Sequence, residues 1–303
     1  MTKMSKPIVF FGSGPVAAES LALLSQDFTI EAVITKPRPP HHKGEVPVIS
    51  TATSLGLPIF TAQNKAELDT LFEKATFTSH LAILIDFGII VSQQVIDFFP
   101  LGIVNSHFSL LPELRGADPI TFAILNGDKR TGVSLMILVE AMDEGPLLAQ
   151  DEYKLPRAIT TPELTKKLIH VSYEALKRII PGYVAGQIKS YPQPTTKATY
   201  SRRLTKEDGI LDWTKPAETL EREIRAFSGW PKSRTVFGSM EIIVTMAHVF
   251  KASGSPGNRI IQDGQPVIYC GKDALIIDMV KPSGKKEMPG KAFLAGYKDI
   301  FLA

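Results

Sequence analysis

Short apolar runs at residues 8–11, 30–34, 81–85 and 103–107 alternate with longer segments of helical periodicity through the first half of the chain. Neighbouring parallel strands need a long crossover between them, usually a helix, and the spacing of these runs supplies one each time. Gly12-Ser13-Gly14-Pro15 turns the first run into a helix carrying Val16, Leu21 and Leu24. Residues 48–55 and 65–74 read as helices, with a short strand at 58–60 between them. Residues 117–125 read as another helix that Gly127 stops, and strands at 132–139 and 147–153 follow. The pattern predicts an α/β unit, a mostly parallel sheet with helices on both faces.

From Thr160 the pattern changes. Thr160 with Glu163 three residues on, and Pro162 in the first turn, is a helix start. Leu164, Leu168, Val171 and Ala175 give this helix one apolar face, so it is expected to pack on the sheet and run to Pro181-Gly182. Residues 187–203 are rich in Pro, Thr, Lys and Arg and read as a linker. A helix near 216–227 follows. Short β-type runs at 234–237, 241–250, 266–270, 274–280 and 292–294, separated by Gly and Pro, then suggest a small barrel. A chain of 303 residues is long for one core. The expected divisions are a catalytic domain at 1–186, a linker at 187–205 and a barrel domain at 206–303.

Composition narrows the setting. The hydrophobic fraction of 44% and the charged fraction of 21% are ordinary for a globular protein, and a net charge of +3 permits an anionic partner without demanding one. The single cysteine, Cys270, has no partner within the chain and fits a reducing compartment. The first apolar run reaches Gly12 before a secretory signal core would be complete, and the longest apolar stretch, 81–91, is broken by Asp86 and too short to span a bilayer. A cytoplasmic location with no membrane contact is expected.

Three features can carry chemistry. Gly12-x-Gly14-x-x-Ala17 matches the dinucleotide pattern weakly, because Thr35-Lys36 stands where an acidic residue would hold a ribose. A tight strand-to-helix turn is the better reading. Asn105 and His107 end the fourth run; on an extended backbone they share a face, about 7 Å apart, with Ser106 opposite. Polar groups at the carboxyl end of a buried strand are where α/β folds place their chemistry. Third is the acidic turn 140–146. If strand 132–139 lies beside 103–107, Asp143 reaches His107 and can fix its orientation and protonation. No Cys/His grouping has zinc-ligand spacing, so no metal is expected. The residues alone describe an Asn/His/Asp site able to move a proton and stabilise an oxyanion.

Asn105-Ser106-His107, Ser109-Leu110-Leu111-Pro112, Arg115-Gly116 and Pro119-Ile120 together resemble the signature of formyltransferases that use 10-formyltetrahydrofolate. Thr131-Gly132-Val133-Ser134 and Asp143-x-Gly145 are similar to that family's next motif. The second half, with Tyr200 to Asp208, Ile210-x-Asp212-Trp213, Trp230-Pro231 and Gly284-Lys285-Lys286-x-Met288, resembles the branch that acts on methionyl-tRNA. This resemblance implies a Rossmann-like catalytic domain joined to an OB-like barrel. It further implies transfer of a formyl group from the folate to the α-amine of methionyl initiator tRNA, in translation initiation, with no stable protein partner.

By the same resemblance, His107 would act in proton transfer or polarise the formyl oxygen, Asn105 would donate to the developing oxyanion, and Asp143 would hold His107. Ser109, Leu110, Leu111 and Pro112, with Phe87, Gly88, Ile89 and Ile90, would line the folate pocket. Lys36, Arg38 and Lys43 in the loop 36–47, Lys189, Lys197, Arg202 and Arg203 in the linker, and Lys281, Lys285 and Lys286 in the barrel are the candidates for tRNA phosphates. The sequence departs from the family at Asp86, Phe108 and Glu113-Leu114, and its loop 36–47 is short. Two alternatives stand beside this reading: a formyltransferase acting on an aminosugar nucleotide, and a folate hydrolase or lapsed tRNA-binding member.

Overall fold

The computed structural model describes residues 4–39, 44 and 46–303. Lys43 lies outside the described residues. In chain order the elements are β1 (Met4–Phe11), α1 (Pro15–Asp27), β2 (Phe28–Thr35), α2 (Pro47–Ser54), β3 (Ile59–Thr61), α3 (Lys65–Glu73), β4 (Ala82–Leu84), α4 (Gln93–Asp97) and β5 (Ile103–His107). Then come β6 (Arg115–Gly116), α5 (Pro119–Asn126), β7 (Arg130–Ile137), β8 (Leu147–Lys154), α6 (Thr161–Val184) and β9 (Tyr200–Ser201). The remainder is α7 (Ala217–Ala226), β10 (Ser233–Phe237), β11 (Met240–Phe250), β12 (Arg259–Gln262), β13 (Gln265–Tyr269), β14 (Ala274–Pro282), β15 (Met288–Pro289) and α8 (Gly290–Leu302). Two compact units result. One comprises Met1–Gly116, Arg130–Lys154 and Thr165–Ser201; the other comprises Ala117–Lys129, Leu155–Leu164 and Arg202–Ala303.

The first unit is organised on a seven-stranded sheet of order β3-β2-β1-β4-β5-β7-β8. The five strands from β3 to β5 are parallel, whereas β7 runs antiparallel to both β5 and β8. Its core gathers aromatic rings: Phe11 meets Phe87 edge-on at 5.3 Å and stacks on Phe72 at 5.8 Å. Burying side chains of this size contributes about 1.5–3 kcal/mol each. The expected apolar face of α6 is buried at Leu164, Leu168 and Ala175. Its Ser172 hydroxyl meets that of Ser106 at 2.7 Å on the side of β5 opposite Asn105 and His107. Thr160 and Glu163 make the anticipated start: the Glu163 carboxylate accepts from the Thr160 amide at 2.9 Å and its hydroxyl at 2.7 Å.

The second unit holds an antiparallel sheet of order β10-β11-β14-β13-β12, with β15 paired to β14. Among the described residues no hydrogen-bonded pairing joins β10 to β12, so the sheet is open where the short strands suggested a closed barrel. Leu220 and Ile224 of α7 pack with Ile242, Val244, Ile277 and Phe293. The run 292–294 is not a strand but part of α8, because Phe293, Leu294 and Phe301 recur at helical spacing and are all buried. Cys270 is buried there, and that burial pushes its thiol up to about 11, which keeps it in the neutral form at ordinary pH.

The stretch expected to be a linker is bound into the first unit up to Ser201. Tyr191 bridges Leu147, and β9 pairs in parallel with β6. Among the described residues no helix is long and apolar enough to cross a membrane.

Candidate active site

β5 ends between β4 and β7, and its last residues deliver the two polar side chains. Asn105 is 8% exposed and His107 7% exposed, so both sit in a largely water-excluded place. His107 Nε2 lies 2.9 Å from the carbonyl oxygen of Leu114. A carbonyl only accepts, so Nε2 carries a hydrogen and Nδ1 is the nitrogen left to take or release a proton. Nδ1 faces the Asp143 carboxylate, with Oδ2 at 3.7 Å. That is longer than a direct hydrogen bond and leaves the two groups facing one another. Among the described residues, none hydrogen-bonds the Asn105 carboxamide, which leaves its donors available to a ligand.

The register explains how Asp143 arrives. His107 pairs with Ser134 and Val104 with Ile137, so β7 is beside β5 as anticipated but runs away from His107. The connection from 138 to 146 has to return, and Asp143 comes back through a turn rather than directly off the strand. Asp143 takes φ 53°, the left-handed region that costs a non-glycine residue about 1 kcal/mol. Its Oδ2 accepts from the Gly116 amide at 2.7 Å. Gly116 itself has φ 98°, and a Cβ there would stand 2.5 Å from the Ser201 carbonyl oxygen, so only glycine lets β6 and β9 approach with that amide aimed at Asp143.

The turn after β5 is held from below. Ser134, fully buried, donates to the Ser109 carbonyl at 2.7 Å and accepts from the Leu111 amide at 2.9 Å. Gln150 donates to the Leu111 carbonyl at 2.8 Å and to Ser134 at 2.9 Å. Leu111 is buried against Met136 and Leu147, and the Leu111–Pro112 bond is cis.

Two matches to known families cover these features. Residues 7–180 match the family described as formyl transferase, and residues 203–298 match formyl transferase, C-terminal domain. The methionyl-tRNA formyltransferase of Roseiflexus castenholzii is 33% identical over 304 residues, 97% of each chain. The chain belongs to the formyl transferase family. Among solved structures, the N-formyltransferase from Helicobacter canadensis, in complex with folinic acid and dTDP-3-aminofucose, has a TM-score of 0.65 at 17% identity, covering 90% of this chain and 99% of its own. HypX from Aquifex aeolicus in complex with tetrahydrofolic acid has a TM-score of 0.63 at 16% identity over 96% of this chain, which spans 47% of HypX. At such identities the likeness speaks for the fold.

In this formyl transferase the glycine turn after β1 serves the neighbouring loop. A Cβ on Gly12 would stand 2.9 Å from the Ile85 carbonyl oxygen and 2.5 Å from the Ala17 side chain. The Ser13 amide donates to the Asp86 carbonyl at 2.9 Å, and its hydroxyl reaches the carbonyls of Asp86 and Phe87. The turn therefore grips the chain leaving β4. Phe87 points into the aromatic core, whereas Ile90 is 70% exposed. Among the described residues no group accepts from the amides of Gly88, Ile89 or Ile90. The ammonium of Lys36 lies 3.1 Å from where a Cβ on Gly88 would be, at this loop rather than beside the exposed Arg38.

The remaining basic candidates divide by their partners. The Arg202 guanidinium is engaged by Asp208 at 2.8 and 2.5 Å, which holds that carboxyl well below its usual range, and it lies over the Phe122 ring. Arg203, Lys285 and Lys286 are exposed. Gln150 and Gln193 are residues that the sequence did not single out, and Leu114, Ser134 and Glu144 stood in quoted stretches without a role of their own. Leu114 acts through its backbone carbonyl, which has no residue signature, and Gln193 sits in a Pro-rich run that looks like a tether. Among the described residues no group of three or more His, Cys, Asp or Glu side chains is placed to hold a metal ion.

Proposed function

We propose that this enzyme transfers the formyl group of 10-formyltetrahydrofolate to the α-amine of the methionyl residue on initiator tRNA. What carries the reading is the 33% identity, over 97% of both chains, to a protein named methionyl-tRNA formyltransferase. Asn105, His107 and Asp143 converging at the end of β5 supply the chemistry. Formyl transfer needs a neutral amine as nucleophile and support for the negative charge that develops on the formyl oxygen.

The Asn105 carboxamide, buried and unengaged, is the donor for that charge; such a donor contributes about 3 kcal/mol in the transition state. His107 takes up the amine proton at Nδ1, the nitrogen its Leu114 contact leaves free, while the Asp143 carboxylate faces the resulting imidazolium; as the bond from the formyl carbon to the folate nitrogen breaks, that proton passes to the departing nitrogen and His107 returns to neutral. The folate supplies the activated formyl group. The open amides of Gly88 to Ile90, the exposed Ile90 side chain and the Ser109–Pro112 turn suit a flat heterocycle with donor and acceptor edges. The exposed cations Arg203, Lys285 and Lys286 suit tRNA phosphates.

The test is formylation of methionyl initiator tRNA by Asn105→Ala and His107→Ala variants shown to be folded by circular dichroism. Each is expected to lose on the order of 100-fold or more in kcat. Unchanged rates would contradict the assignment.

A further inference from the structure

Gln193 comes from the stretch that reads as a linker, yet it is 7% exposed and every polar group of its carboxamide is used. Its Nε2 donates to the carbonyl of Asp143 at 2.8 Å and to that of Gly145 at 2.7 Å. Its Oε1 accepts from Arg115 Nη2 at 2.9 Å. Arg115, 3% exposed, donates through Nη1 to Glu144 at 2.8 Å. The two side chains therefore hold all three residues of the Asp143-Glu144-Gly145 turn, by two carbonyls and one carboxylate.

That turn has a reason to need holding. Asp143 is in the left-handed region, which aspartate tolerates in turns at a cost of about 1 kcal/mol, so the conformation is available to the residue but its direction has to be set by contacts. Its carboxylate has one described hydrogen bond, from the Gly116 amide, and must still face His107 Nδ1. Gly116 directly follows Arg115, so the same segment supplies the cation that grips the turn and the amide that aims the carboxylate. Leu147, just beyond the turn, is bridged to Tyr191, which fixes the Gln193 segment from the other side.

We infer that Gln193, acting with Arg115, is the positioning residue that sets the Asp143 carboxylate against His107 during formyl transfer. Gln193 meets no reacting atom; it acts through Asp143. The inference rests on the reading of Asn105, His107 and Asp143 as the reacting groups.

The discriminating experiment is a double-mutant cycle. Gln193→Ala and Gln193→Glu are each made in the natural enzyme and in Asp143→Asn, and kcat and KM for the formyl donor are measured with methionyl initiator tRNA as acceptor. Gln193→Glu still accepts from Arg115 and fills the same volume, but it cannot donate to the two carbonyls. Both single variants are expected to lose on the order of 100-fold in kcat, the scale of a small misplacement at a reacting centre, while KM for the donor stays as it was. In the Asp143→Asn background neither change costs anything further, because the group being positioned has lost its charge. Equal fold losses in both backgrounds, or a Gln193→Glu enzyme as active as the natural one, overturn the inference. An Asp143→Asn enzyme of full activity overturns the underlying reading, and the inference with it. Thermal melts accompany each variant; should Gln193→Ala not fold, Gln193→Glu carries the test alone.

Discussion

His107 has one ring nitrogen committed to a backbone carbonyl and the other aimed at a carboxylate, and in the proposed reaction that asymmetry assigns the proton to Nδ1. The committed side depends on Leu114, whose φ of 56° turns its carbonyl back toward the ring. A neighbouring layer decides how the Ser109–Pro112 turn, proposed to line the folate, is presented. Ser134→Ala would leave the Leu111 amide and the Ser109 carbonyl without their side-chain partner, each loss worth about 1–3 kcal/mol where the group stays buried. Steady-state kinetics of that variant should show KM for the formyl donor raised by roughly tenfold with kcat little altered, as for a change in binding rather than chemistry. At this scale the sequence disclosed the polar side chains that end β5, because their types and alternation are legible in the residues themselves. It did not disclose what Leu114 contributes, which is a carbonyl, or the parts played by Ser134 and Gln150, which become relevant only once β7 pairs with β5 and β8 with β7.

Elements obeyed the sequence where a period was long enough to be read. α6 shows its expected face and start, and the alternating runs of the first half became parallel strands. The direction of β7 was not legible: an apolar run has no polarity, and only the register, with Val104 opposite Ile137 and His107 opposite Ser134, fixes it as antiparallel. The segment 292–294 was misread because three apolar residues fit either period, and Phe301, which decides for a helix, lies beyond them.

α7 carries a second consequence. Its Glu223 is 7% exposed, and burial raises its carboxyl above the ordinary range despite the 2.7 Å contact with Lys215; Oε2 is buried with no partner among the described residues. A carboxyl with a raised folded-state pKa keeps its proton where the unfolded chain has lost it, so stability falls as pH rises from the unfolded value through the folded one. Glu223→Gln still accepts from Lys215 and removes the buried charge. Its melting temperature at pH 7 should exceed that of the natural protein, with the gap closing as the pH drops below the usual carboxylate range. A lower melting temperature at pH 7 would show that the ion pair outweighs its desolvation.

For the molecule as a whole, the acceptor is the question that fold cannot answer, since this architecture is shared with an enzyme solved with an aminosugar nucleotide. The exposed cations give one physical handle. Replacing Arg203, Lys285 and Lys286 by Glu should weaken tRNA binding and lower the salt dependence of the affinity by about one unit of slope for each phosphate no longer neutralised. KM for the formyl donor should not change, because those residues lie outside the first unit, which holds the expected folate-lining residues. Filter binding across a salt series reads the first effect, and steady-state kinetics the second. The most direct measurement gives the purified enzyme 10-formyltetrahydrofolate with methionyl initiator tRNA and a dTDP-aminosugar in the same reaction and follows both products by mass. The account predicts formyl-methionyl-tRNA and an unmodified sugar nucleotide; a formylated sugar beside unmodified tRNA would contradict it.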